Sequence, residues 1–264
     1  MNQQQEQQRS ADGRVRGLEE QHRNSYFYGK LLGVHNFELE TAYGTGHRRQ
    51  NNRLVTGYGV VCGLGVQVSD DGRKVIVKPG LGFDRRGREL VVERSLEVEI
   101  PPDVIDAARE RAERDEDDHE ACIGVMLCYH ECRDDPAPVY AGDCGMPDPC
   151  APSTIRERVR VEFRSRCPRR PDRECDPDLL DDGKLDYDQI VRWVTSQRPC
   201  MWVPADSCIP LAALRIADPD EHRCHPDRVD IGVRPIVFSN ALLREIVLAL
   251  FTRGHGHDHD YEVR

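Results

Sequence analysis

The sequence predicts an α+β protein: an N-terminal helix, a small antiparallel β-sheet or open barrel, and a second β-rich part with Cys-rich loops and a C-terminal amphipathic helix. Three observations predict it. Apolar residues alternate between Val60 and Ile100 and are interrupted by turn sequences. Ten of the eleven cysteines fall after residue 120. Near the C-terminus, Leu242, Leu243, Ile246, Val247, Leu250 and Phe251 recur at helical spacing.

Residues 1–22 are rich in Gln, Glu and Arg with almost no apolar side chain, which predicts a disordered N-terminal arm. A helix is expected after Val34, with Phe37 and Tyr43 as a sparse apolar stripe. Gly44 and Gly46 lie inside it, each costing about 1 kcal/mol against Ala, so a break or fraying is expected there. With the strands that follow, residues 23–100 make a helix plus antiparallel β module. Val60, Leu64, Val66 and Val68 run into Asp70-Asp71-Gly72, whose glycine accepts the positive φ of a hairpin turn. Val75 and Val77 return, Arg85-Arg86-Gly87 turns again, and Leu90, Val92, Leu96, Val98 and Ile100 place even-numbered residues inward.

Residues 101–252 form a Cys-rich α+β part. Pro101-Pro102-Asp103 stops the sheet and caps a helix from Val104 to Arg114. Ala121 to His130 is expected as a central strand, with Ile123, Val125, Leu127 and Tyr129 on one face and Met126, Cys128 and His130 on the other. Cys132 to Pro152, dense in Pro, Gly, Asp and Cys, reads as an irregular loop cross-braced by its cysteines, ahead of a strand from Arg158 to Phe163. A helix from Tyr187 to Thr195 and a strand from Cys208 to Ala217 follow. Ser239 or Asn240 caps the last helix and Gly254 ends it. Its apolar face needs cover from the sheet or from a neighbouring subunit. Residues 253–264 are expected as a mobile His-rich tail.

Composition narrows the function classes. At 38% hydrophobic, 32% charged and 6% aromatic, the chain reads as a folded body with long polar loops. A net charge of −10 argues against a dedicated nucleic-acid binder, whose affinity comes chiefly from phosphate contacts. The basic runs Arg85-Arg86-Gly87-Arg88 and Arg164 to Arg173 are expected as solvated loops. No stretch approaches the ~20 apolar residues of a membrane-spanning helix. Met1 to Arg16 lacks the apolar core of a secretory signal, which predicts a cytoplasmic chain that is later assembled into a particle, with release an open question.

The most distinctive stretch is Tyr26-Phe27-Tyr28-Gly29-Lys30-Leu31-Leu32, followed by Asn36-Phe37, Glu38, Glu40, Tyr43, Arg48 and Arg49. Next come Asn52-Arg53-Leu54 and Gly57-Tyr58-Gly59-Val60-Val61-Cys62-Gly63-Leu64, then Pro79-Gly80, Asp84 and Gly87-Arg88-Glu89. This pattern, over residues 24–100, resembles the opening module of small structural proteins encoded with contractile phage tails and phage-tail-like contractile injection systems. Ile155-Arg156-Glu157-Arg158 and Arg234-Pro235-Ile236-Val237-Phe238-Ser239 are similar to later fragments of the same group.

The resemblance implies a non-enzymatic structural or adaptor component of such a particle, in the baseplate, at the cap end, or as a fibre or spike accessory. It also implies multiple copies and tube, sheath, baseplate or cap proteins as partners. The expected interface comprises the packing residues Tyr26, Phe27, Tyr28, Leu31, Leu32, Phe37 and Tyr43. Lys30, Arg48, Arg49 and Arg53 would give register against acidic neighbours. The same segment could equally cover its own sheet.

The cysteines leave three readings open: a structural zinc, disulfides formed after release, and buried thiols. The candidate metal set is Cys132, Cys144 and Cys150, completed by His130, Cys128 or Cys167, since zinc takes four thiolate or imidazole ligands in a tetrahedron. No Cys-x-x-Cys pair supports it. His222-Arg223-Cys224-His225, with Cys200 and Cys208, is a weaker cluster, read as a polar turn. Asp178 to Gln189 departs from a calcium loop at Leu180 and Gln189 and reads as an acidic turn before a helix. Phosphate-loop, serine-hydrolase and zinc-protease motifs are all missing. The competing function is a stand-alone zinc-binding protein or metal-dependent enzyme using the cysteine-rich half. A third is a secreted, disulfide-braced binding protein.

Overall fold

The computed structural model describes residues 14–16, 21–114, 121–138, 150–170, 180–181, 184–197, 202–216 and 224–254. The strands are β1 (Arg14–Arg16), β2 (Gly59–Gly63), β3 (Val66–Val68), β4 (Lys74–Val77), β5 (Gly80–Phe83), β6 (Glu89–Val92), β7 (Leu96–Glu99), β8 (Cys122–Pro138), β9 (Cys150–Arg164), β10 (Leu180–Asp181), β11 (Lys184–Leu185), β12 (Trp202–Pro204), β13 (Ile209–Ile216) and β14 (Cys224–Asp230). The α-helices are α1 (Val34–Asn51), α2 (Pro102–Arg114), α3 (Tyr187–Arg192) and α4 (Asn240–Gly254). Single π-helical turns extend α1 through Asn52–Thr56 and α3 through Trp193–Gln197.

Antiparallel pairing builds two three-stranded sheets, β2-β5-β6 and β3-β4-β7, and one four-stranded sheet, β14-β13-β8-β9. The α+β class is as expected, and the sheets stay open rather than closing into a barrel. Local chemistry sets the turns. In the β3–β4 hairpin Gly72 has φ +69°, and the Asp71 carboxylate accepts from Ser69 Oγ at 2.5 Å and from the Arg73 amide at 3.1 Å. Those hydrogen bonds hold the Asp71 carboxyl below its usual pKa.

One core runs across Pro101. Leu64, Val75, Val77 and Leu90 from the first sheets meet Ile105 of α2 and Ile123, Val125, Leu127, Ile209, Leu211 and Leu214 of the four-stranded sheet. Apolar faces of the three sheets bury against each other and α2, at about 25 cal/mol per Å² of apolar surface removed from water, and β8 and β13 are buried on both faces, the second covered at Cys122 and Ala213 by Val233 and Cys167.

Several expectations are corrected. α1 runs unbroken through Gly44 and Gly46. Within the arm expected to lack structure, Arg14–Arg16 pairs with Trp202–Pro204; its other residues up to 20 lie outside the described set, as do residues 255–264 of the His-rich tail. Of the expected Cys132–Pro152 loop, the described residues continue β8 as far as Pro138 and open β9 at Cys150, paired out to Pro138 opposite Cys150, and residues 139–149 lie outside the described set. Both faces of this ribbon are mostly exposed, so it lacks the apolar alternation that marks a half-buried strand. Cross-strand polar contacts hold it: Thr154 Oγ1 donates to Asp135 Oδ2 at 2.5 Å, and Arg156 pairs with Asp134 and Asp135 at 3.2 Å each.

Neither basic run is simply solvated. Arg88 pairs with the fully buried Asp84, and Arg164 pairs with Asp206. Asp186 accepts from the amides of Asp188 and Gln189, so the acidic turn before α3 is an N-cap.

Candidate partner interface

The segment that leads into α1 is tied down by polar contacts, with its apolar side chains turned outward. Asn24, 9% exposed, donates to the Asn36 carbonyl, and its Oδ1 accepts from Asn36 Nδ2 at 3.2 Å. The Asn36 side chain also accepts from the Gly33 amide at 3.0 Å, closing the first turn of the helix. Lys30 bends back, donating to the Ser25 carbonyl at 2.9 Å and lying 5.5 Å from the centre of the Tyr26 ring. Tyr26 Oη reaches Glu40 at 3.2 Å.

Against this frame Phe27 is 69% exposed, Leu31 92% and Tyr28 fully exposed, with Leu32 and Phe37 also exposed. Tyr43 is half-buried and meets His47 edge-on, ring centres 4.5 Å apart. No residue of α1 is fully buried.

The far end of α1 is fastened at a joint made by the other residues of the motif. Asn52 Nδ2 donates to the Gly87 carbonyl at 3.0 Å. Gly87 has φ +77°, and a Cβ there would lie 2.0 Å from the Arg49 carbonyl oxygen, so only glycine permits this approach. Arg48 reaches Glu89 at 3.6 Å, and Arg49 reaches Glu131 at 3.7 Å and Glu157 at 3.8 Å. Arg88 lies 4.3 Å from the Tyr129 ring centre, with Arg49 at 5.8 Å. Burial first, then hydrogen bonds to Glu131 and Glu157, raise the Tyr129 hydroxyl above its ordinary pKa.

Beneath the joint, Asp84 accepts from the amides of Arg86 and Arg88 at 2.8 Å each and from Arg88 Nε at 2.7 Å. Arg88 also donates to Ser207 Oγ at 2.7 Å. The motif glycine Gly59 has φ +128° and lies so close to Pro235 that a Cβ would sit 2.4 Å from the Pro235 carbonyl. The Val60 amide donates to the Pro235 carbonyl, and the Val60 carbonyl accepts from the Val237 amide, at 2.9 Å each.

The residues expected at the interface therefore divide. Tyr26, Phe27, Tyr28, Leu31, Leu32 and Phe37 stand on one exposed arm. Lys30, Arg48 and Arg49 bind groups of the chain itself, so they set the arm on its own body before any acidic neighbour is met. Arg53 is half-buried beside Asn52. Sequence reasoning missed Asp84 as the centre of the joint, although its place four residues before Arg88 was a readable signal.

The described members of the expected metal set are not brought together. Cys128 is bonded to Cys208 and Cys167 to Cys122, which removes both from the pool of thiolates. Cys132 and Cys150 are free, but they pair opposite Arg156 and Pro138, six residues apart along the ribbon or about 20 Å at 3.3 Å per residue. His130 is exposed opposite Arg158, and Cys144 lies outside the described residues. The only three-ligand grouping among the described residues is Cys128, Cys208 and Glu162, whose two sulfurs are bonded to each other. Of the weaker cluster, His222, Arg223 and Cys200 also lie outside.

No described helix is long and apolar enough to cross a membrane. No protein-family model matches the chain, and comparison with curated proteins finds no match. Among solved structures, a chain described as a crystal structure of TssK superposes with a TM-score of 0.36 and 11% identity, over 80% of this chain. The alignment spans 41% of that chain's own length.

Proposed function

We propose that this protein is a non-enzymatic structural or adaptor component of a phage-tail-like contractile injection system, acting by protein–protein assembly in the baseplate, at the cap, or beside a fibre or spike. The observation that carries the reading is the exposed aromatic and aliphatic arm from Tyr26 to Phe37, held by Asn24, Asn36 and the Asp84–Arg88 joint. Large apolar side chains on a preorganised support are what interface hot spots require, because little ordering entropy remains to be lost on docking. The motif resemblance of residues 24–100 supplies the class of particle. Tube, sheath, baseplate or cap subunits are the expected partners, with several copies of this chain in a symmetric assembly.

The test is affinity capture of the tagged full chain from its own cells, with electron microscopy and mass spectrometry of what accompanies it. Recovery of sheath, tube or baseplate proteins, lost in a Phe27→Asp/Leu31→Asp variant whose melting temperature is unchanged, supports the assembly role. A clean monomer with tightly bound zinc and no partner overturns it.

A further inference from the structure

Apart from the arm, the molecule carries a concentrated basic cleft of about 540 Å³, within the usual range of binding sites. Among the described lining residues, Arg85, Arg164, Arg166 and Arg169 stand against one carboxylate, Asp206, in a chain whose net charge is −10. Asp206 is already engaged: it accepts from both terminal nitrogens of Arg164, at 2.5 and 2.9 Å, and from the Cys208 amide at 3.2 Å. Glu162, near the cleft's Cys208, is held by Arg160 and Arg164. Arg166 and Arg169 have no carboxylate partner among the described residues, and the buried Nε of Arg85 has no hydrogen-bond partner. The Arg85 guanidinium is instead steadied by the Tyr58 ring, 5.0 Å away.

Both disulfides reach the walls of this cleft. Cys122–Cys167 pins the segment carrying Arg166 and Arg169 to β8, and Cys128–Cys208 pins the segment carrying Asp206 to the same strand. Met126, Pro168 and Pro210 supply apolar lining. The backbone carrying Arg166, Arg169 and Asp206 is thus fixed by the disulfides, and among the described lining residues arginines outnumber carboxylates four to one.

We infer that this cleft binds an acidic peptide segment carrying neighbouring carboxylates. Guanidinium forks match carboxylates bidentately, and the apolar lining suits side-chain stems better than a bare ion. A nucleic-acid strand needs a basic track many phosphates long, whereas this site is short and set in an acidic protein. The inference stands on side chains of the second β-rich part and the β5–β6 turn, independent of the assembly role of the arm.

The experiment uses the full chain with its disulfides intact and a fluorescein-labelled hexaglutamate peptide, read by anisotropy. Binding is expected to be saturable and to weaken when salt rises from about 0.05 to about 0.3 M, as screening shortens the reach of the charges. Arg166→Glu/Arg169→Glu, at two exposed positions, should weaken it by at least about tenfold, and Arg85→Gln by several-fold. Arg94→Glu/Arg244→Glu makes the same charge change at residues that do not line the cleft and should leave affinity within about twofold. Equal loss in both charge-reversal pairs would reduce the effect to net charge and overturn the site. Displacement of the peptide by equimolar inorganic pyrophosphate, or tighter binding of a short single-stranded DNA, would overturn the peptide assignment.

Discussion

Replacing Asp84 by Ala should be among the most damaging single changes in the first sheet. Asp84 is fully buried and accepts from two amides and from Arg88 Nε, whose side chain is 17% exposed. Truncation leaves two amides and a mostly buried guanidinium without their acceptor. Arg88 keeps Ser207 Oγ and the Tyr129 ring, which offsets part of the loss. Breaking a buried ion pair by removing one partner costs about 3–5 kcal/mol. At roughly 2–4 °C per kcal/mol for a chain of this size class, the melting temperature should fall by about 6–20 °C. Urea unfolding followed by circular dichroism measures the cost, and Arg88→Met with the double variant completes a cycle whose coupling should be about 1–3 kcal/mol. Hydrogen exchange should also rise at 48–54, because the Asp84 turn presents Gly87 to Asn52. A loss below about 1 kcal/mol, or no coupling, would refute the clasp as the support of the arm.

Gly87→Ala should cost about 1–3 kcal/mol, because the added methyl meets the Arg49 carbonyl at a positive φ, and exchange protection at the end of α1 should drop in the same sample. Mass spectrometry of the non-reduced protein should recover Cys122–Cys167 and Cys128–Cys208 as linked peptides, with Cys132 and Cys150 alkylatable. Reducing either bridge, at separations of 45 and 80 residues, should remove about 2–4 kcal/mol of stability measured in urea. The Arg164 contact holds the Asp206 carboxyl below its usual pKa, so its stabilisation is full above the unfolded value near about 3.9 and is lost as pH falls through the lower folded value. With Asp206 half exposed, Arg164→Ala should cost only about 0.5–1 kcal/mol at pH 7, and the deficit should vanish in strong acid.

Elements governed by neighbouring residues were legible from the chain. The Asp71-Gly72 turn, the even-numbered inward face around Leu90 and Val92, the end of the sheet and start of α2 at Pro101-Pro102, and the Ser239 cap, whose Oγ accepts from the Leu242 amide at 3.2 Å, all follow from period and turn chemistry. The aromatic segment Tyr26-Phe27-Tyr28 was legible as a packing surface, but the chain alone left open whether it meets a partner or its own sheet. The β8–β9 ribbon was not, because strands exposed on both faces carry no alternating pattern, and its proline-rich sequence argues locally against pairing.

By itself the sequence determined the α+β class, the order of the well-patterned elements and the cluster of motif residues, because propensity and periodicity act over a few residues. Only tertiary structure decided which cysteines pair, that Arg48, Arg49 and Arg88 face their own chain, and that Arg85 meets Arg164, Arg166 and Arg169 at one cleft. Those outcomes depend on segments far apart in sequence, 119 residues for Arg88 and Ser207, that become neighbours only when the sheets stack on one core. Charge and thiol chemistry name the groups available, but the core sets the distances at which they act.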